Sequence, residues 1–196
     1  QNADAWALRS IINSLLVIRN FEAGTKPLET GRVAANRALY LDPRSGLGEL
    51  ALGLHFSAMI SRGGDPRAPW PHLERAFAKL PADPLTRFAD VSTAYNAYDF
   101  ERTIRAANTW LQAEPNANHA AFILALTYLA RRDWAETIKW AEKGATADNI
   151  SGARAYATVF DAHYYLRADL QAARAALERI PAGVPAINRT LHSRWL

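Results

Sequence analysis

The sequence predicts an all-α fold, an α-solenoid of about five antiparallel helix pairs, and three observations carry that prediction. Phe100-Glu101-Arg102-Thr103-Ile104 returns as Trp134-Ala135-Glu136-Thr137-Ile138, 34 residues later. Pro115 and Asn149 close the two copies at the same offset. Along most of the chain, apolar residues recur at helical spacing in segments separated by Gly and Pro. A fixed period of this length marks stacked helix pairs, because a single pair cannot bury its apolar face alone. Such an array grows along one axis, so the 196 residues read as one continuous domain. The pairs fall at about 4–43, 46–83, 84–115, 116–149 and 150–180, with 181–196 a tail or the start of a further helix.

Each element has its own local reason. Trp6, Ile11, Ile12, Leu15, Leu16 and Ile18 give residues 4–21 one broad apolar face. Gly24 and Pro27 break the chain, and Pro27 suits the first turn of a second helix that turns Val33, Ala34, Ala38 and Leu39 inward and stops at Asp42-Pro43. The third helix, from Gly46 to Ser61, leaves little polar surface, so neighbours should bury it on more than one side. Residues 62–69 form the longest irregular connection, where insertions and contacts tend to sit. A short helix from Pro71 to Leu80 follows. Helices are then expected at about 85–98, 99–113, 116–130, 133–146, 151–167 and 169–180. Asp99 and Asp133 stand where an N-cap is wanted, directly before Phe100 and Trp134. Asp169-Leu170 follows Asp133-Trp134 by 36 residues, so the last pair carries two extra residues.

Composition excludes several classes of function. Hydrophobic residues at 49% suffice for a core, and the chain is a folded, soluble one. Its net charge of +4 comes from 19 Arg and 4 Lys scattered singly or in pairs, with no block of like charge, so neither a nucleic-acid arm nor a polybasic membrane patch is expected. The longest apolar run, Ile11 to Ile18, is interrupted by Asn13 and Ser14 and is far short of a membrane span. The absence of cysteine removes disulfides, thiolate catalysis and cysteine metal sites, and it names no compartment. The chain begins at Gln1 and its single methionine is Met59, which points to a processed protein or part of a longer one.

No catalytic set assembles. His55, His72, His119, His163 and His192 lie on five different segments without metal-ligand spacing. Gly63-Gly64-Asp65-Pro66 lacks the lysine and hydroxyl of a phosphate loop and reads as a turn. The expectation is a protein that is not an enzyme and has no metal or cofactor.

Ala121, Leu124, Ala125 and Tyr128 on one helix, with Thr137, Ala141 and Asn149 on the next, resemble the tetratricopeptide pattern of small residues at close helix crossings. Glu49, Leu52, Gly53 and Phe56 share the first-helix spacing, as do Phe88, Val91, Ser92 and Tyr95. The pattern departs at Thr103 and Thr137, where the family has Ala, and at the 62–69 turn. The resemblance implies a right-handed superhelix serving as a scaffold for a protein or peptide partner. The family's groove positions fall here on Leu47, Leu50, Leu54 and Ser57, on Thr86, Ala89, Thr93 and Asn96, on His119, Phe122, Leu126 and Leu129, and on Ser151, Arg154, Thr158 and Asp161. Within that groove Asn96, His119, Phe122, Leu126, Arg154, Thr158 and Asp161 are the candidate partner-binding residues, with Arg154 to fork onto a carboxylate and Phe122 as apolar anchor. The Lys/Asn set of the family's peptide-carboxylate clamp is missing. Arg37-Ala38-Leu39-Tyr40-Leu41-Asp42-Pro43 also resembles repeat domains attached to some bacterial nucleotide cyclases and winged-helix regulators. That likeness implies a rival role, a sensory or regulatory domain that takes a small ligand or forms a homo-oligomer.

Overall fold

The computed structural model describes residues 2–18, 25–145 and 150–180, and the side chains of all of these except 150–153. The expected tail at 181–196 and the Asn149 closure lie outside the described residues, as does the Ser151 side chain. Every regular element among the described residues is helical, as the sequence predicts. The chain forms two compact units, residues 1–99 and 100–196, and the boundary falls inside the expected pair 84–115.

The first unit holds α1 (Ala3–Ile18), α2 (Lys26–Leu41), α3 (Gly46–Ile60), α4 (Trp70–Lys79) and α5 (Pro84–Asn96). Helix α3 is its centre, packed against each of the other four. Ten of its residues are buried, among them Leu50, Leu54 and Ala58, which answers its nearly all-apolar sequence. Small residues set the spacing around it. A Cβ on Gly53 would run into Leu73 Cδ2 and lie 2.8 Å from Leu73 Cγ, so only glycine lets α4 approach this closely. Ser45 Oγ accepts the Gly48 N–H at 2.9 Å and starts α3, while Asp83 Oδ1 accepts the Leu85 N–H at 2.7 Å and starts α5.

Two expectations about this unit need correction. Val33 is 60% exposed and Ile12 is 58% exposed, although both were expected on inward faces. The reason is that small residues make up much of the closely packed stripes of α1 and α2. Ala7, Ser10, Ile11, Ser14 and Val17 are the buried side of α1, and Gly31, Ala34, Ala35 and Ala38 belong to that of α2. At Gly31 a Cβ would already lie 3.5 Å from Asn13 Cβ, so α1 and α2 cross at van der Waals contact and bulky Val33 turns away.

The second unit holds α6 (Phe100–Ala113), α7 (Asn118–Ala130), α8 (Trp134–Gly144), α9 (Ile150–Asp161), a π-helical turn over Ala162–Leu166, and α10 (Leu170–Glu178). Helix α7 packs on α6, α8 and α9, and α10 packs on α9. Ala125, Ala141, Val159, Phe160, Ala173, Ala176, Leu177 and Ile180 form one buried cluster. Asp133 Oδ1 accepts the Glu136 N–H at 3.2 Å, as its position before Trp134 predicts. Thr137 stands where the repeat pattern has Ala; it is fully buried, and its Oγ1 donates to the Asp133 carbonyl at 2.6 Å. The hydroxyl is therefore satisfied inside its own helix and adds a second tie to the cap.

Three of the helix-to-helix turns share a backbone feature. Tyr98, Arg132 and Ala168 have φ of 58°, 60° and 53°, each one residue before an aspartate. The Asp99 and Asp133 N–H groups reach back five residues to the Ala94 and Tyr128 carbonyls, at 3.0 and 2.9 Å. These are helix C-caps in which one left-handed residue turns the chain. Gly63, with φ of 85°, does the same after α3, where the Gly64 N–H bonds the Met59 carbonyl at 3.0 Å. The 62–69 connection thus begins as an ordinary left-handed exit and is irregular only beyond it.

Buried ionisable groups tie the first unit to pH. His55 on α3 is 4% exposed. Burial, helped by the charge of Arg32, holds its pKa below the usual imidazole value of 6.5. Glu49 accepts from Arg75 Nε at 2.7 Å and lies 2.7 Å from His72 Nδ1. Burial pushes its carboxyl upward, but the hydrogen bonds and charges of Arg75 and His72 more than offset this and hold it below 4.5. In both cases the unfolded chain binds more protons than the folded one just below the unfolded pKa, so stability is full above that pKa and falls with pH through the window beneath it.

Two predictions follow from this packing. Ala125→Leu should destabilise the chain by about 1–3 kcal/mol through overpacking, read as a lowered melting temperature; an unchanged one would misplace Ala125. The melting temperature should begin to fall as pH drops below 6.5, and more steeply below 4.5. His55→Leu should flatten the upper part of that profile and leave the lower part, whereas an unchanged upper part would deny His55 its share.

Candidate functional site

The candidate binding residues of the second unit lie on α7 and α9, the helices that the repeat pattern makes first in their pairs. At the start of α7, the His119 ring lies between Trp110 and Phe122, with centroids 6.2 and 6.3 Å away. Phe122 is 7% exposed and Thr158 is 2% exposed, so both pack the interior in this conformation. Thr158 Oγ1 donates to the Arg154 carbonyl at 3.0 Å, within α9. His119, Leu126, Arg154 and Asp161 are half-buried and reach the surface. Asn96, also half-buried, belongs to the last turn of α5 in the first unit.

One of these residues, Asp161, lines a groove. This groove of about 460 Å³ is lined by Leu129, Ala130, Arg132, Asp161, Tyr165 and Leu166. Leu126 stands three residues before Leu129 on α7, and Arg154 seven before Asp161 on α9, so each shares a helix face with a lining residue. Of the candidate binding residues, Asp161 lines this groove, and Leu126 and Arg154 do not. The structure brings Leu129, a predicted groove position, together with Arg132, Tyr165 and Leu166, which the sequence reading did not single out.

Three local devices build the groove. The last turn of α7 supplies Leu129 and Ala130 as apolar wall. The left-handed residue that ends α7 is Arg132 itself, so the turn carries its side chain to the rim. The π-helical turn after Asp161 supplies Tyr165 and Leu166. A π turn inserts a residue into the helical ladder and shifts every later side chain in phase, a feature frequent at functional sites. The Asp169 N–H accordingly reaches back six residues, to the His163 carbonyl at 3.0 Å, where Asp99 and Asp133 reach back five. Part of the two-residue excess in the last pair is taken up here.

Aromatic packing holds this turn in place. Phe160 is fully buried, Tyr164 stacks on it with centroids 5.4 Å apart, and Tyr165 meets Tyr164 edge-on at 4.9 Å. Tyr165 nevertheless remains 63% exposed. Beside it, Arg167 lies 4.2 Å above the Trp134 ring, and His163 approaches the same ring edge-on. Chemically the groove offers an apolar wall, an exposed aromatic ring, a guanidinium and a carboxylate. Arg132 forms no ion pair among the described residues. Among those residues no group of three side chains could hold a metal ion, and no helix is long and apolar enough to cross a membrane.

No family model, no curated protein and no solved structure matches this chain.

Proposed function

We propose that this chain is a non-catalytic binding module for a protein or peptide partner, built from helix pairs that stack in the right-handed manner of tetratricopeptide repeats. The stacking is supported by the packing within each unit, where α1 lies on α3, α3 on α5, and α7 on α9, with α2, α4 and α8 packed between their neighbours. The observation that carries the binding reading is the groove at the ends of α7 and α9, which sets opposite charges, Arg132 and Asp161, around apolar Leu129 and Leu166. A peptide segment with one apolar side chain between an acidic and a basic residue fits that chemistry. The guanidinium would take the acidic group and the carboxylate the basic one, while Tyr165 offers a rigid aromatic face at low entropic cost. The histidines support a non-catalytic reading because each described one is held in packing. His55 is buried in α3, His72 stacks on Phe56 and faces Glu49, His119 lies between two rings, and His163 meets Trp134.

Selection of a random peptide library on the purified chain tests the reading. Enriched peptides should carry the acidic–apolar–basic pattern, and Asp161→Lys or Tyr165→Ala should each weaken them about tenfold, roughly 1–2 kcal/mol, with the helix content unchanged. No enrichment, or binding indifferent to both substitutions, would reject this site.

A further inference from the structure

We propose that the exposed face of α1 and α2 is a self-association surface, and that its occupant is the same face of a second copy of this chain. Seven large hydrophobic side chains stand exposed among the described residues, and four of them lie on these two helices: Leu8 at 46%, Ile12 at 58%, Val33 at 60% and Tyr40 at 74%. These apolar side chains stand among exposed charged ones, Arg9, Glu29 and Arg32, so the face is mixed, where a solvated end of a stack would be polar throughout. Leu8 and Ile12 are one turn apart and form a ridge on α1. Arg9, which lies between Leu8 and Ile12 in the sequence, lines a groove of about 340 Å³ together with Trp6, Glu29, Thr30 and Val33. Ridge and groove on one patch are what a twofold interface requires, because each element meets its complement on the other copy.

Charge points to a second copy before an unrelated protein. Arg9 and Glu29 line the same groove from opposite helices, and neither forms an ion pair among the described residues. Arg9 lies 5.4 Å from the Trp6 ring centroid, which holds its guanidinium at the rim. A twofold axis brings Arg9 of each copy to Glu29 of the other, while Ile12, one turn past Arg9, enters the facing groove. A face carrying both signs in this way is complementary to itself. Each helix has 16 residues and is thus about 24 Å long, so the pair projects on the order of 500 Å². That is at the small end of specific interfaces, and the dimer is accordingly a concentration-dependent one.

Sedimentation equilibrium of the full chain over a range of concentrations tests the proposal. The expected result is a monomer–dimer equilibrium that Ile12→Arg weakens about tenfold or more, with circular dichroism unchanged because Ile12 is 58% exposed. Glu29→Arg alone should weaken the dimer several-fold, and Arg9→Glu combined with Glu29→Arg should restore it, since a charge swap across a twofold axis repairs the pair. A chain of monomer mass at every concentration would overturn the proposal and leave the face to a different partner. So would a dimer indifferent to Ile12→Arg, or a swap that fails to restore what the single change removes.

Discussion

Three helix-to-helix turns depend on one backbone constraint: after α5, after α7 and before α10, a single non-glycine residue passes through the left-handed region as the chain turns. Tyr98, Arg132 and Ala168 do so without being glycine. A left-handed L-residue costs about 1–2 kcal/mol, so each turn is held against its own local preference. What offsets the cost is visible around it. The following aspartate closes the preceding helix with its N–H, and Asp133 and Asp169 also open the next helix through Oδ1, which accepts from Glu136 and Ala172. A cap of this kind is worth about 1 kcal/mol. The residue after the aspartate is Phe100, Trp134 or Leu170, and it starts the next apolar face.

With the turns fixed, the distance between helices is set by what lies at the crossings, and there the chain uses its smallest residues. Gly53 opposite Leu73 leaves no room for a Cβ, Gly144 is tight against the Phe122 backbone, and Gly31 sits at van der Waals contact with Ser10 and Asn13. Close crossings consume the small side chains and push bulky ones to the outside, which is how an apolar face comes to stand exposed on α1 and α2. The buried Glu49 in α3 shows the same tightness in charged form. It is tolerated at 7% exposure because Arg75 and His72 both reach it, and removing either partner would leave a buried carboxylate short of the group that compensates it.

Helix existence was legible in the sequence because periodicity and punctuation agreed. The repeated Phe100 and Trp134 segments, the Asp133 cap and the crowded α3 all behave as their residues predict. Val33 and Ile12 face outward because much of the buried stripe is taken by alanine, serine and glycine beside Ile11, Val17 and Leu28. The left-handed turns were missed because glycine is the usual signal and Tyr98, Arg132 and Ala168 give none. The site was legible only in part. Asp161 and Leu129 are groove positions that the repeat-like spacing predicts, but Tyr165 and Leu166 reach the groove through a π turn that no residue pattern announced. The two-residue excess in the last pair was its only trace. Phe122, read as an anchor from its position alone, packs into the interior because position in a repeat does not encode which side chain a neighbour covers.

Thermal unfolding of paired substitutions at Tyr98, Arg132 and Ala168 tests the turn constraint most directly. Glycine at each site should leave the melting temperature equal or raise it, since glycine enters the left-handed region without penalty, while valine at the same sites should lower stability by about 1–2 kcal/mol. Glycine and valine variants that melt together at all three positions would contradict the account.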